Sequence, residues 1–199
     1  MKSLILFLLT LVVTISHAQI PANLITNKAD LSIQLLDQIN EYRNKNGLTS
    51  LILDSNLTKA CIHHCEYLSV YDEGAHIETN RDSSHLIENL VSPESRIKRF
   101  NADVGNRVAE NCLNIGPMVF KEAKHQISGD QWIQNIKAGK IDPSLSALCV
   151  LNYWIESPGH NSTLLKKEAT VCGVYQKVYV NRHGKYRIVS TLLITNRTY

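Results

Sequence analysis

The sequence predicts an α+β fold, with helices in the first part of the chain and strands in the last. Apolar side chains recur every three to four residues over 31–42 and 57–68, which indicates two helices that each bury one face. The stretch from Val171 to Ile194 is instead rich in β-branched and aromatic residues, and a polar turn at 181–184 divides it into two strands. Helices and strands that are segregated along a chain are typical of α+β domains.

The composition is that of one globular domain. The chain has 199 residues, of which 44% are hydrophobic and 20% are charged, so it can bury one sizeable core. The net charge of +3 comes from 21 basic and 18 acidic residues that are scattered along the chain without long runs. Phosphate backbones require a concentrated positive surface, so the charge pattern disfavours nucleic acid as a partner.

The N-terminus has the pattern of a secretory signal peptide. Lys2 precedes a nearly unbroken apolar run over 4–15, and small residues end the segment at Ala18. A bilayer-spanning helix needs about 20 apolar residues, so this run is too short to be one, and we expect no transmembrane segment in the mature chain. The sequence thus predicts a signal peptide at 1–18, an N-terminal arm at 19–30, and a secreted, extracellular or periplasmic location.

The cysteines would enter an oxidising compartment, where disulfides form. Their number is odd, so at least one is left over, and two of them lie four residues apart on a predicted helix, which makes a bridge between that pair awkward. Buried thiols that act as small apolar side chains are the alternative. The five are Cys61, Cys65, Cys112, Cys149 and Cys172.

Capping residues precede the first two predicted helices. Asp30 is placed to cap a helix that ends at Gly47, and Asp54 is placed to cap the second. The second helix carries His63 and His64, but neighbouring helical residues point about 100° apart and cannot both reach one ion. We therefore interpret His64 as a half-buried histidine with a hydrogen-bond partner and His63 as a solvent-facing one.

A third helix is predicted upstream of a proline break. Apolar residues from Ala147 to Ile155 form one helical stripe, and Pro158 is expected to stop the helix. Gly159 can adopt the backbone angles of a sharp turn, so we expect His160 to lie at the rim of the fold.

Several motifs together resemble the bacterial branch of the CAP superfamily, which comprises cysteine-rich secretory proteins, antigen 5 and pathogenesis-related proteins. The resemblance covers about residues 31–195 and implies a three-layer α-β-α sandwich with a central, mainly antiparallel sheet. The segment near 117–146 is longer than the family needs, and we interpret it as an insertion. The motifs are Ile39 to Leu48, Glu110-Asn111-Cys112-Leu113, Trp154 and Ser157-Pro158-Gly159-His160.

The resemblance also implies a site. In the family, two histidines and up to two glutamates converge in a surface cleft that can hold a divalent metal. Carried over to this chain, the cleft residues are His76, Glu110 and His160, with Ser157 where a second glutamate would fall. His85 is an alternative to His76: His76 lies eight residues after Leu68 of the second helix, whereas His85 lies eight residues before Pro93, and each spacing matches the family on its own side. The helix is the more rigid reference, because loops absorb insertions at little cost, so His76 is favoured.

Two functions follow from this cleft. Imidazole and carboxylate ligands suit Zn²⁺ or another divalent metal. The resemblance favours a secreted binding module for an extracellular lipid, glycan or peptide. The alternative is a metal-assisted, peptidase-like hydrolase that uses the same cleft, although the chain contains neither His-Glu-x-x-His nor Gly-x-Ser-x-Gly.

Overall fold

The computed structural model describes most of the predicted domain. The predicted signal peptide, the arm up to residue 27, His85 and most of the predicted insertion lie outside the described residues. Within the described part, no helix combines the length and apolar character that crossing a bilayer requires. The described residues are 28–79, 91–100, 102, 105, 107–116, 131, 134–135, 137–138 and 143–196.

Over the described ranges, the principal elements are five helices and two strands that intermix along the chain, followed by a C-terminal hairpin of two strands. The helices are α1 (Lys28–Lys45), α2 (Ser55–Tyr71), α3 (Pro93–Arg99), α4 (Pro143–Glu156) and α5 (Pro158–Leu164). The strands are β1 (Ile52–Leu53), β2 (Ala109–Ile115), β3 (Val171–Val180) and β4 (Tyr186–Thr195).

The four strands form one sheet in the order β1-β3-β4-β2. β1 runs parallel to β3, whereas β3 pairs with β4 and β4 with β2 in antiparallel fashion. The predicted hairpin is confirmed, and Gly184 in its turn has a φ of 71°, which glycine adopts without strain. The sheet is therefore mainly antiparallel, and β2, which carries Glu110, lies at one edge.

Helices cover both faces of this sheet. Adjacent strand residues point to opposite faces, so Leu192 packs into a core with α1 and α4, whereas Leu193 packs into a second core with α2 and α3. Trp154 of α4 is fully buried in the first core. This three-layer arrangement confirms the predicted fold class.

The ends of two helices differ from the prediction. α1 begins at Lys28, so Asp30 lies within its first turn instead of preceding it. Pro158 does not only end α4; it also opens α5, because proline at a first helical position loses no intrahelical hydrogen bond. Gly159 therefore lies in a helix and makes no sharp turn. Ser157 precedes α5 as its N-cap residue, but its side chain makes no capping hydrogen bond.

The start of α2 agrees with the prediction and packs closely on the sheet. The Asp54 carboxylate accepts hydrogen bonds from the backbone N–H groups of Asn56 and Leu57. A Cβ at Gly173 of β3 would overlap the backbone of Leu57 and Thr58. Glycine at that position therefore lets α2 lie directly on β3, which holds the following turns of α2 against the sheet.

The cysteines form no disulfide, and all five are buried. Cys61 and Cys65 are both fully buried in the core between α2 and the sheet. The interpretation of this pair as small apolar side chains matches the structure.

Candidate functional site

Glu110 is at the centre of the site. It lies at the start of β2 with only 2% of its side chain exposed. Its Oε1 is 3.0 Å from Nδ1 of His76, and its Oε2 is 2.6 Å from Nη2 of Arg96. The carboxylate is thus held between an imidazole that reaches the surface and a guanidinium that does not.

A second buried carboxylate, Glu78, lies beside the first. Its Oε1 is 2.8 Å from Nδ1 of His64, and its Oε2 is 3.2 Å from Nε2 of His63. The expectation that His63 faces solvent is wrong, because only 17% of its side chain is exposed, and His64 is fully buried instead of half-buried. Adjacent helical residues cannot share one ion, but they share this carboxylate because each takes a different oxygen.

Arg96 links the two acids. It projects from α3, which begins with a capping box at Ser92, and its side chain is fully buried. Its Nη1 donates to Glu78 at 3.3 Å while its Nη2 donates to Glu110, and it also donates to the carbonyl of His76 at 3.2 Å. One guanidinium therefore holds both carboxylates and the loop that carries His76.

The pKa values of both buried carboxyl groups are lowered. Burial alone would raise the pKa of Glu78, but hydrogen bonds from His63 and His64 and the charge of Arg96 outweigh it and lower the pKa. Burial likewise opposes a net lowering of the pKa of Glu110, which comes from the hydrogen bond to His76 and from the charges of His64 and Arg96.

The two predicted imidazoles differ in exposure and in the direction of their pKa shifts. Half of the His76 side chain is exposed, and its hydrogen bond to Glu110 raises its pKa more than burial lowers it. His160 lies in the first turn of α5 and is partly buried. Its pKa is lowered mainly by burial and in addition by the charge of His76, so the two rings are within electrostatic reach.

His160 is positioned by its backbone and by a neighbouring ring. Asn111 donates to the carbonyl of His160 at 2.9 Å, and the ring of Tyr153 lies 6.3 Å from the imidazole, centroid to centroid. Nδ1 of His160 is buried without a hydrogen-bond partner among the described residues. Glu110 and Asn111 point to opposite faces of the edge strand β2, so the side chain that holds the His160 backbone projects from the face opposite to Glu110.

The other residues considered from the sequence contribute less. Ser157 is partly buried and lies just before α5, three residues from His160. Glu156 is exposed, in agreement with its omission from the predicted ligands. His85 lies outside the described residues.

Two residues that the sequence did not assign to the site lie on its inner side. Nε2 of His64 is 3.7 Å from Oε1 of Glu110, and Sγ of Cys112 is 3.6 Å from Nδ1 of His76. His64, Glu110 and Cys112 are buried, and each offers one ligand atom within 4.8 Å of the others. Burial raises the pKa of the Cys112 thiol.

The sequence contained a signal for these two residues. Glu110 and Cys112 are two positions apart in a strand, so their side chains share a face. His64 lies on the apolar stripe of α2, where a polar ring needs a partner. Neither pattern indicates, however, that this face of β2 packs against the apolar stripe of α2.

Solved structures with similar folds come from bacteria. An outer surface protein from Borrelia burgdorferi matches with a TM-score of 0.56 and 18% identity, over 87% of this chain and 97% of the other. An extracellular protein containing an SCP domain, from Bacillus anthracis, matches with a TM-score of 0.54 and 16% identity, over 83% of this chain. The match spans only 40% of the Bacillus protein. At these identities, the likeness defines the class of fold, an SCP-type α+β domain.

The family is assigned by a match between the sequence and a family model. The model of the CAP, or cysteine-rich secretory protein, family matches residues 36–192. The chain therefore belongs to this family, which confirms the resemblance seen in its motifs. No curated protein matches the sequence significantly.

Proposed function

We propose that this CAP-domain chain is an exported binding protein whose cleft, formed by His76, Glu110, His160 and Ser157, takes a divalent metal or an extracellular ligand. The observation that carries the proposal is the pairing of a nearly buried, ionised Glu110 with the half-exposed His76. A fixed anion beneath an accessible imidazole is a polar anchor that orients a ligand from outside.

The predicted metal-ligand set suits a divalent ion. His76, Glu110 and His160 offer two imidazoles and one carboxylate, which are ligands that zinc accepts. Nδ1 of His160 is buried and makes no hydrogen bond within the described part of the chain, so it is not committed to a protein acceptor. A bound ion would supply an electrophilic centre for a ligand oxygen or nitrogen.

The rim next to His76 is apolar. Ile77 is 47% exposed and Val91 is 45% exposed. The backbone N–H of Glu78 donates to the carbonyl of Val91 at 2.9 Å, which brings the two segments together. Exposed apolar side chains beside a polar anchor favour a lipid or an apolar peptide over a glycan.

Neither glutamate of the site is available as the base that the hydrolase alternative needs, which leaves His160 as the candidate base. Both oxygens of Glu110 and both oxygens of Glu78 lie within hydrogen-bond distance of described side chains. A general base must instead be placed to abstract a proton from water. This arrangement supports binding over turnover.

Export is part of the proposal. The predicted signal peptide at 1–18 supports it, and so do the structural relatives, which are described as an outer surface protein and an extracellular protein. Mass spectrometry of protein from the culture medium or periplasm should find a mature N-terminus near Gln19.

The binding proposal is tested with the mature chain, residues 19–199. Cosedimentation with phospholipid vesicles and binding to an apolar peptide library are compared for wild type, His76→Ala and His160→Ala, with His183→Ala on the exposed hairpin turn as the matched control. We expect both cleft substitutions to weaken binding about tenfold or more, and the control to bind like wild type. Equal binding by all four proteins would contradict a role for the cleft, whereas peptide cleavage that His160→Ala abolishes would favour the hydrolase.

A further inference from the structure

We infer that His64, Glu110 and Cys112 form an inner binding site for a zinc-class metal ion, with His76 as a fourth ligand within reach. This position lies deeper than the cleft and differs from the set of His76, Glu110 and His160, because it uses a thiol and does not use His160. The inference goes beyond the proposed function, since the cleft can bind a ligand whether or not the inner site is filled.

The distances between donor atoms fit one tetrahedral ion. Ligand atoms about 2.0 to 2.3 Å from zinc lie roughly 3.3 to 3.8 Å apart in a tetrahedron. Nε2 of His64 lies 3.7 Å from Oε1 of Glu110, and Sγ of Cys112 lies 3.6 Å from Nδ1 of His76. The first separation exceeds an ordinary hydrogen bond between nitrogen and oxygen, and both match edges of such a tetrahedron, although 3.6 Å is also the length of a hydrogen bond to sulfur. Nδ1 of His76 is only 3.0 Å from Oε1 of Glu110, so these two atoms would move apart by a few tenths of an ångström if His76 became the fourth ligand.

The orientation of His64 provides an independent indication. Its Nδ1 is 2.8 Å from the Glu78 carboxylate, which favours a proton on that nitrogen. Nε2 then carries a bare lone pair, and it is buried without a hydrogen-bond partner among the described residues. A carboxylate that orients a histidine from behind is the usual second partner of a metal-binding imidazole.

The buried charges also favour a cation. Glu78 and Glu110 are 0% and 2% exposed at their side chains, and among the described residues Arg96 is the guanidinium that pairs with both. When the neighbouring imidazoles are neutral, two carboxylates and one guanidinium leave one negative charge, which is costly in a buried position unless an imidazolium proton or a metal ion balances it. Arg96 contacts Oε2 of Glu110, whereas Oε1 lies 3.0 Å from Nδ1 of His76, the fourth ligand, and is the oxygen on the side of the proposed site.

The ligand chemistry selects the class of ion. Sulfur and imidazole nitrogen favour zinc and similar transition metals, whereas calcium and magnesium prefer oxygen ligands only. We therefore expect zinc or cobalt to bind and calcium not to compete.

Cobalt reports directly on the thiol. The mature chain, kept reduced, is titrated with Co²⁺, and thiolate coordination is read from its charge-transfer absorption in the near ultraviolet. The band should appear at one ion per chain and disappear in Cys112→Ser. Cys149→Ser is the matched control, because Cys149 is equally buried but lies in the core on the other face of the sheet. A folded wild-type chain that binds cobalt without this band, or binds none, would overturn the inference.

Zinc affinity separates the inner site from the cleft. Competition with a chromogenic chelator should show a loss of about tenfold or more for Cys112→Ser and for His64→Asn, but less than about threefold for His160→Ala. His64→Asn retains an N–H in the place of Nδ1, so it keeps a donor to Glu78, and circular dichroism verifies that each variant folds. Loss of zinc in His160→Ala with normal affinity in Cys112→Ser would place the metal in the cleft instead. Ligand binding by the cleft is measured separately, so the two proposals can fail independently.

Discussion

Two fully buried arginines show how the same side chain serves two regions of this domain. Arg43 of α1 and Arg96 of α3 are both 0% exposed. Arg96 donates to two carboxylates and to two backbone carbonyls. Arg43 donates to backbone carbonyls, which are those of Thr49, Leu164, Lys166 and Ala169.

The two guanidinium groups have different partners and therefore different roles. Leu164 ends α5, and its carbonyl is one of those at a helix C-terminus that find no intrahelical partner. Arg43 supplies that partner and so ties the helix that carries His160 to α1. Arg96 instead neutralises charge, because without it two carboxylates would be buried beside each other. Arg43 therefore fixes the backbone next to the site, whereas Arg96 neutralises charge within it.

Replacing Arg96 should have the largest effect. Arg96→Met leaves Glu78 and Glu110 buried without their guanidinium, which we expect to lower the free energy of unfolding at pH 7 by about 3 to 5 kcal/mol. Arg99→Met, an exposed position in the same helix, should change it by less than about 0.5 kcal/mol. Urea unfolding measures both, and similar values for the two variants would contradict the assigned role of Arg96.

The loss of unfolding free energy in Arg96→Met should be larger at neutral pH than at acid pH. The pKa values of Glu78 and Glu110 are lowered in the folded protein, so the stability they contribute is present above the ordinary glutamate pKa and is lost as the pH falls through the lowered values. Arg96→Met removes one of the contributions that lower them, the others coming from the neighbouring histidines. Its deficit relative to wild type should therefore be largest above the ordinary glutamate pKa of about 4.3 and shrink as the pH falls from there through the lowered values. A constant deficit would argue against electrostatic pairing.

Replacing Arg43 should have a smaller and pH-independent effect. Arg43→Met leaves several carbonyls without a donor, and unpaired buried acceptors cost about 1 to 3 kcal/mol each before the structure relaxes. We expect a total loss of about 2 to 3 kcal/mol in urea unfolding. Because carbonyls do not titrate, this loss should be the same at pH 7 and at pH 4. Lys45→Met, an exposed position on the same helix, is the control.

Asp72 is a carboxylate whose partners include both neutral hydrogen-bond donors and an arginine. It accepts hydrogen bonds from Tyr179 at 3.1 Å and Asn181 at 2.7 Å, and Arg187 is 3.3 Å away. Burial alone would raise its pKa, but these partners outweigh burial and lower it.

Asp72→Asn tests this surface pairing. Asparagine tolerates the left-handed backbone of this position, where φ is 54°, so the substitution isolates the charge. We expect a loss of about 1.5 kcal/mol at pH 7. Because the pKa is lowered in the folded protein, the difference should begin to shrink below the ordinary aspartate pKa of about 3.9 and vanish only below the lowered value. A thermal unfolding series over pH measures it, and a difference that persists at low pH would show that charge is not the cause.

Tyr42→Phe should have the smallest effect. The Tyr42 hydroxyl lies 2.9 Å from Oδ1 of Asn161, a second link between α1 and α5. Its removal should cost about 1 kcal/mol of unfolding free energy. Combined with Arg43→Met, the loss should exceed the sum of the single losses if both links hold the same helix, whereas strict additivity would show that they act separately.

Local patterns predicted the elements well. The β-branched run and its polar turn predicted β3 and β4 closely, and Asp54 caps α2 as expected. Pro158 was harder to interpret, because proline both ends a preceding helix and suits the first turn of the next. The second outcome is found here, where α5 contacts α4 and β2 and is joined to α1 by hydrogen bonds.

The candidate site was only partly predictable. His76 and Glu110 were chosen through family motifs, and the structure brings them into contact. Glu78, Arg96, His64 and Cys112 also converge there, but each was interpreted alone, as part of a loop, a helix or a core. Their mutual pairing has no local pattern in the chain.

The sequence by itself determined the fold class, the boundaries of most elements and membership of the CAP family, because these depend on periodicity, caps and motifs that neighbouring residues carry. The tertiary structure alone decided which acid meets which base, as in the contact of His64 with Glu78, 14 positions apart, and of Asn111 with His160, 49 positions apart. Such contacts depend on how the helices pack on the edge strand. Buried charges require partners, and these partners come from elements that are distant in the sequence.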